Sequence, residues 1–150
     1  MKLATLRTGF GTSAIRIDGD NVGVELDYED VGQLLRSEDW RKAAPLSGEP
    51  VVFDHADLEA VVPAPGKVIC VGLNYAKHIR EMGREFPEHP TLFIKFADAL
   101  TGPYDDVFIP EYGTQKLDYE GELAVIIGER AHRVCRDEAC LFYTSPSPRD

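Results

Sequence analysis

Leu123, Ala124, Val125, Ile126 and Ile127 form an unbroken apolar run at the end of KLDYEGELAVIIG (116–128). A run of this length and composition is what a strand buried on both faces uses. Such a strand needs neighbours on its edges and a layer over each face, so it predicts a sheet-based core. The approach to the run points elsewhere, because Asp118, Glu120 and Glu122 stand at every second position. In an extended chain these side chains share a face, with about 6.5–7 Å between successive Cα atoms. Acidic residues form strands poorly, and like charges side by side repel. A hard divalent cation removes that repulsion, and Mg²⁺ favours one or two carboxylates plus waters. The competing reading is a solvated outer face, with Leu123 and Val125 packing on the other side.

The rest of the chain reads as two parts. KLATLRT (2–8), SAIRID (13–18) and NVGVELD (21–27) have the pattern of short strands, with a hairpin turn at Gly19–Asp20–Asn21. Asp30 is a candidate N-cap for a helix carrying Val31, Leu34, Leu35 and Trp40 at roughly helical spacing. This predicts a small α+β domain over residues 1–62. VVPAPGK (61–67) interrupts regular structure and marks the passage into a second domain, 63–139. There KVICVG predicts a buried strand with Cys70 as a small core residue, and YAKHIREM a short helix capped by Asn74 and ended by Gly83. TLFIKFA (91–97) and DDVFIP (105–110) predict further strands, and CRDEA the first turn of a helix.

Net charge is −10, which argues against nucleic-acid binding, since phosphates need clustered Lys and Arg. The three cysteines, Cys70, Cys135 and Cys140, have no metal-like or disulfide framework, consistent with a reducing cytoplasm. MKLATLRTG has no apolar stretch of signal-peptide or membrane-spanning length. The expectation is a cytoplasmic protein without a membrane or nucleic-acid partner.

Two further features carry chemistry. His78 and Glu81, three apart, are neighbours on a helix surface, where a carboxylate can orient an imidazole as a base. An ordinary amphipathic helix, with Tyr75, Ile79 and Met82 inward, would look the same. Lys95 interrupts an otherwise apolar strand, where it needs an anion or an edge position from which its head reaches water. His55, His89 and His132 have no metal-like spacing and read as surface residues.

In order, GLNYxxHxxEMG, PxLFxKxxxxLxGPxD and KLDxExELxxxIG resemble the fumarylacetoacetate hydrolase family, from about Pro65 to Val134. The resemblance implies an α+β, mainly β fold, with the N-terminal domain followed by the first part of that family's mixed β-roll. It implies that Glu120 and Glu122 bind Mg²⁺ or Mn²⁺, and that His78 and Glu81 sit on a mobile lid and activate water. Asp118 matches a frequent motif residue and is not carried over as a ligand. A third metal ligand, an Asp, and a later active-site Lys of the family would lie beyond Cys140.

On that resemblance the expected activity is metal-dependent cleavage of a C–C bond in a 2-oxo or 1,3-dicarbonyl acid, in aromatic-compound catabolism. The cation acts as Lewis acid, His78 deprotonates the attacking water, and Lys95 pairs with a substrate carboxylate or an oxyanion. Isomerisation, hydration or decarboxylation of an unsaturated 2-oxo diacid is the alternative on the same fold. A non-catalytic, cation-stabilised module is the alternative of another class. The partners expected are an oxo-acid substrate and, at full length, a second copy in a homodimer. The tail CLFYTSPSPRD (140–150) resembles translated sequencing adapter and differs from CLLYTSPSPRD at Phe142 only. The 150-residue polypeptide is therefore expected to be a C-terminally truncated, inactive piece of its parent.

Overall fold

The computed structural model describes residues 1–45, 47–113 and 116–139. The tail from Cys140 to Asp150, and with it the adapter expectation, lies outside the described residues. The architecture is α+β and mainly sheet, and the described strands form two separate sheets with no closed barrel.

The larger sheet has the order β4–β3–β2–β1–β5, every neighbouring pair antiparallel. β1 (Lys2–Thr8) and β2 (Gly11–Ile17) pair along their whole length, from Lys2 opposite Ile17 to Thr8 opposite Gly11. β3 (Val22–Glu25) returns along β2 after the predicted turn. β4 (Pro50–Val52) and β5 (Leu58–Glu59) add short edges that the sequence pattern did not indicate. Pro50 opens its edge strand, where the missing N–H costs no ladder bond.

The sheet is covered on both faces. Ala14 and Ile15 are consecutive on β2 and so point to opposite sides. Ala14 packs with Leu26, Val31, Leu34, Trp40 and Ala44, whereas Ile15 packs with Ala4, Leu6 and Phe53. The first group contains the helices. α1 (Val31–Arg36) starts at the predicted cap, with Asp30 Oδ1 accepting from the Gln33 amide at 2.7 Å. Gln33 Oε1 accepts in return from the Glu29 amide at 2.7 Å. A second tie comes from the sheet: buried Thr5 accepts from the Val31 amide at 3.1 Å and donates to the Val61 carbonyl at 2.8 Å. One helix was expected to run through Trp40. Instead Ser37 leaves the helical region (ψ 132°), and Trp40 belongs to a separate turn, α2 (Trp40–Ala43).

Beyond the bends at 61–64 the expectations hold less well. β6 (Val68–Gly72) and β7 (Thr91–Lys95) pair as predicted strands, Val68 opposite Lys95 and Gly72 opposite Thr91. KVICVG was expected to be buried and is not: Cys70 is only half-buried, and every residue of its partner β7 is exposed. Ile69, Val71, Leu92 and Ile94 share one face of this hairpin with no described layer over it. DDVFIP is not a strand; after a bend at Asp105 the segment is irregular, with Phe108 fully exposed. KLDYEGELAVIIG is also not a ladder strand, and only Ile127 makes an isolated bridge. The physical reason is that a strand is not a local structure. Without a neighbour to take its N–H and C=O groups, an apolar run has nothing to hold it in register. CRDEA does form a short helix, α4 (Arg136–Ala139).

Candidate active site

The His-x-x-Glu pair is carried by α3 (Ala76–Glu81). β6 hands over to it through Leu73, whose φ of 54° lies in the left-handed region. A leucine there costs about 1–2 kcal/mol, so the turn out of β6 is strained where the candidate site begins. Tyr75, rather than the expected Asn74, occupies the N-cap position, and it makes no side-chain cap bond. Ile79, 2% exposed, anchors the helix, while Tyr75 and Met82, expected inward, are each about two-fifths exposed. Gly83 ends the helix as predicted, with φ 64°. Its amide reaches the Arg80 carbonyl at 3.0 Å and the Arg84 amide the Ile79 carbonyl at 3.1 Å, the paired bonds of a glycine-terminated helix.

His78 and Glu81 are both exposed on this helix. Among the described residues no hydrogen bond joins them; the Glu81 carboxylate instead lies 3.8 Å from the Lys77 ammonium, one turn back. Lys95 stands at the end of β7, exposed and opposite Val68, the edge position in which its head reaches water.

The carboxylates lie on the irregular segment 117–126. Asp118, Glu120 and Glu122 are all exposed. Asp118 Oδ1 accepts from the next amide, Tyr119 N–H, at 2.8 Å and is partly satisfied by its own backbone. Glu120 and Glu122 have no hydrogen bond or ion pair with a described residue, so both remain free as hard oxygen donors. Two such donors fit a cation that keeps several waters. No group of three His, Cys, Asp or Glu side chains gathers among the described residues, so these two are what this part of the chain offers.

The segment is tied at two points. The Leu123 amide, next to Glu122, donates to the Tyr75 hydroxyl at 2.9 Å. At the far end the indole of buried Trp40 donates to the Gly128 carbonyl at 3.1 Å, and Arg41 pairs with Glu129. The first tie sets the start of α3 beside the carboxylate segment; the second fastens that segment to the N-terminal sheet.

A third joint ties β1 to the loop that follows β7. Arg7 on β1 donates through both terminal nitrogens to Asp105, at 2.7 and 2.5 Å, and through Nε to Glu59 at 2.8 Å. The Gly102 amide adds a 2.7 Å bond to Asp105. These bonds, Arg7 first, hold the Asp105 carboxyl down at about 2. Arg7, then the Ala60 amide, also lower that of Glu59, and the two acids hold the guanidinium charged. Gly102 is buried in this joint, where a Cβ would lie 2.5 Å from the Leu58 carbonyl oxygen. Beside it Tyr104 stacks on His55, ring centroids 5.7 Å apart, and His55 Nε2 donates to the Asp20 carbonyl at 2.8 Å. His55, read as a surface residue, is thus half-buried at a joint. Asp105 stood in the motif GPxD without a role, while Arg7, His55 and Trp40 offered no signal, because only the fold brings them to their partners.

The fumarylacetoacetate (FAA) hydrolase C-terminal family matches residues 67–142. The chain belongs to the fumarylacetoacetate hydrolase family. Within that family it is 46% identical over 80 residues to a Bos taurus protein named mitochondrial oxaloacetate tautomerase, covering 53% of this chain and 25% of that one. It is 47% identical over 85 residues to an oxaloacetate tautomerase of Bacillus subtilis, covering 55% of this chain and 28% of the relative. A crystal structure of 5-carboxymethyl-2-hydroxymuconate delta-isomerase from Mycobacterium smegmatis superposes with a TM-score of 0.68 at 28% identity. That likeness covers 95% of this chain and 51% of the isomerase. The fumarylacetoacetate hydrolase match therefore spans about a quarter of the curated relatives' length and about half of the solved one. No helix among the described residues is long and apolar enough to cross a membrane.

Proposed function

We propose that the chain is part of a metal-dependent enzyme that moves a proton on a 2-oxo diacid, of the tautomerase or isomerase type. The observation that carries this reading is the pair of free carboxylates, Glu120 and Glu122, tied through Leu123 to the helix of His78. The names of the relatives, oxaloacetate tautomerases and a hydroxymuconate isomerase, support proton transfer over bond cleavage. Glu120 and Glu122 would hold Mg²⁺ or Mn²⁺, whose Lewis acidity favours the enol form of a 2-oxo acid. His78 takes the proton from the carbon beside the carbonyl and returns it to oxygen or to another carbon, so atoms and charge balance with no water consumed. Lys95, exposed at the end of its strand, receives a substrate carboxylate.

Hydrolytic C–C cleavage is the second reading. The His78–Glu81 spacing favours it, since a carboxylate beside an imidazole strengthens a base that activates water. In this structure Glu81 faces Lys77 instead.

The deciding experiment, on the intact protein with Mg²⁺, follows deuterium uptake from D₂O into oxaloacetate alongside cleavage of acylpyruvates. Proton transfer predicts metal-dependent uptake without cleavage, abolished in His78→Ala. Cleavage without uptake establishes the second reading. Mg²⁺ binding with neither activity identifies a cation-stabilised module. Titration calorimetry checks the ligands: Glu120→Gln or Glu122→Gln should weaken Mg²⁺ sharply and Asp118→Asn much less. Equal effects at Asp118 and Glu122 would overturn the assignment.

A further inference from the structure

The carboxylate segment and the α3 helix meet through a single described hydrogen bond. Segment 117–126 lies in no ladder, so its backbone lacks the bonds that would fix a strand. The Tyr119 amide bonds only to its neighbour Asp118, whereas the Leu123 amide reaches across the chain, donating 2.9 Å to the hydroxyl of Tyr75. Leu123 adjoins Glu122, and Tyr75 is the residue from which α3 departs, one turn before His78. Tyr75 makes no cap bond, so its hydroxyl serves the segment rather than its own helix. Tyr75 as a whole stays 42% exposed, which makes packing a weak explanation for its placement.

We infer that Tyr75 is a positioning residue that couples cation binding at Glu120 and Glu122 to the order of the helix carrying His78. This rests on the proposed cation site. Holding the Glu122–Leu123 peptide before the ion arrives reduces the freedom that binding must remove, so the hydroxyl contributes to affinity by pre-organisation. The same bond works in reverse. Once a cation fixes the two carboxylates, Leu123 stops moving and the first turn of α3 is held with it, as reciprocity between linked sites requires. Proton-transfer geometry is thereby completed when the ion is present.

The test is Tyr75→Phe in the intact protein, which removes one oxygen and leaves the ring in place. Calorimetry should show Mg²⁺ binding weakened about two- to tenfold, the range expected for losing one neutral hydrogen bond. Hydrogen exchange gives a readout that a packing role would not move. In the parent, Mg²⁺ should slow exchange of the Ile79 to Met82 amides; in Tyr75→Phe that slowing should vanish. Parent-like affinity and parent-like slowing would overturn the coupling. The two proposals fail separately. If Glu120→Gln and Glu122→Gln bind Mg²⁺ like the parent, the cation assignment is lost. The tie itself is then judged by the Leu123 amide in metal-free protein, whose exchange must quicken in Tyr75→Phe; an unchanged rate removes it.

Discussion

The β6–β7 hairpin is written in more apolar residues than β1 and β2, yet it is the more exposed of the two. VICVG and TLFIK leave Ile69, Val71, Leu92 and Ile94 in solvent, while Ala14 and Ile15 of GTSAIRI are fully buried. The difference is supply. β1, β2 and β3 find partners within a few residues, and α1 and Phe53 close the two faces. Nothing described covers the hairpin. Burial follows from which layers exist, and hydrophobicity only says which surfaces would accept one.

That contrast can be broken most directly by truncating each core. Leu34→Ala, at a fully buried site, should destabilise the chain by about 2–5 kcal/mol in urea unfolding. Ile94→Ala, at a site 67% exposed, should stay within about 0.5 kcal/mol of the parent. A large loss at Ile94 would show that the hairpin face is covered in solution. Next in size comes Gly102→Ala. Its new Cβ would press on the Leu58 backbone oxygen, which cannot rotate away, so about 1–3 kcal/mol should be lost. Normal stability there would mean that the joint between the two regions is looser than drawn.

Trp40→Phe keeps an aromatic ring in the core and removes the donor to Gly128. About 0.5–1.5 kcal/mol should go, with faster amide exchange around 128–130 while β1 and β2 stay protected. Uniform quickening would instead indicate a packing defect. The smallest effect is that of acid on the Arg7 joint. Asp105 and Glu59 have lowered folded-state values, so the stability they confer is complete above the ordinary carboxylate range. It is lost as pH falls toward about 2, where Asp105 finally takes its proton. Stability of the parent should therefore decline below pH about 4 more steeply than that of Arg7→Gln, followed by thermal unfolding. Parallel declines would remove the joint from the account.

How far the sequence could be read follows the same division. The strands β1, β2 and β3, the turn at Gly19–Asp20–Asn21, the cap at Asp30 and the stop at Gly83 all rest on neighbours a few residues away, and all are present. The strand expected over 116–128 depends on partners distant in sequence, and its pattern recorded only a capacity for burial. The break at Ser37 shows the opposite failure: helical spacing extended to Trp40, while the local backbone turned aside before reaching it. For the candidate site, motif order singled out Glu120, Glu122, His78 and Lys95. The contacts that tie down the neighbouring segments, from Tyr75, Trp40 and Arg7, span 48, 88 and 98 positions along the chain, beyond the reach of any periodicity.

Trp40 is also the only tryptophan in the sequence. The residue is 5% exposed, and its indole carries the Arg41 guanidinium 4.5 Å from the ring and touches the segment that follows the two glutamates. The molecule thus contains an unlabelled optical gauge at one of the places where its two halves grip each other. Indole emission moves to longer wavelength on meeting water, so release of Gly128 would be visible as a red shift, residue by residue unambiguous because no second fluorophore of that kind competes. Loading with Mg²⁺, acidification or a change of partner could each be followed in the same cuvette, in real time, on unmodified protein.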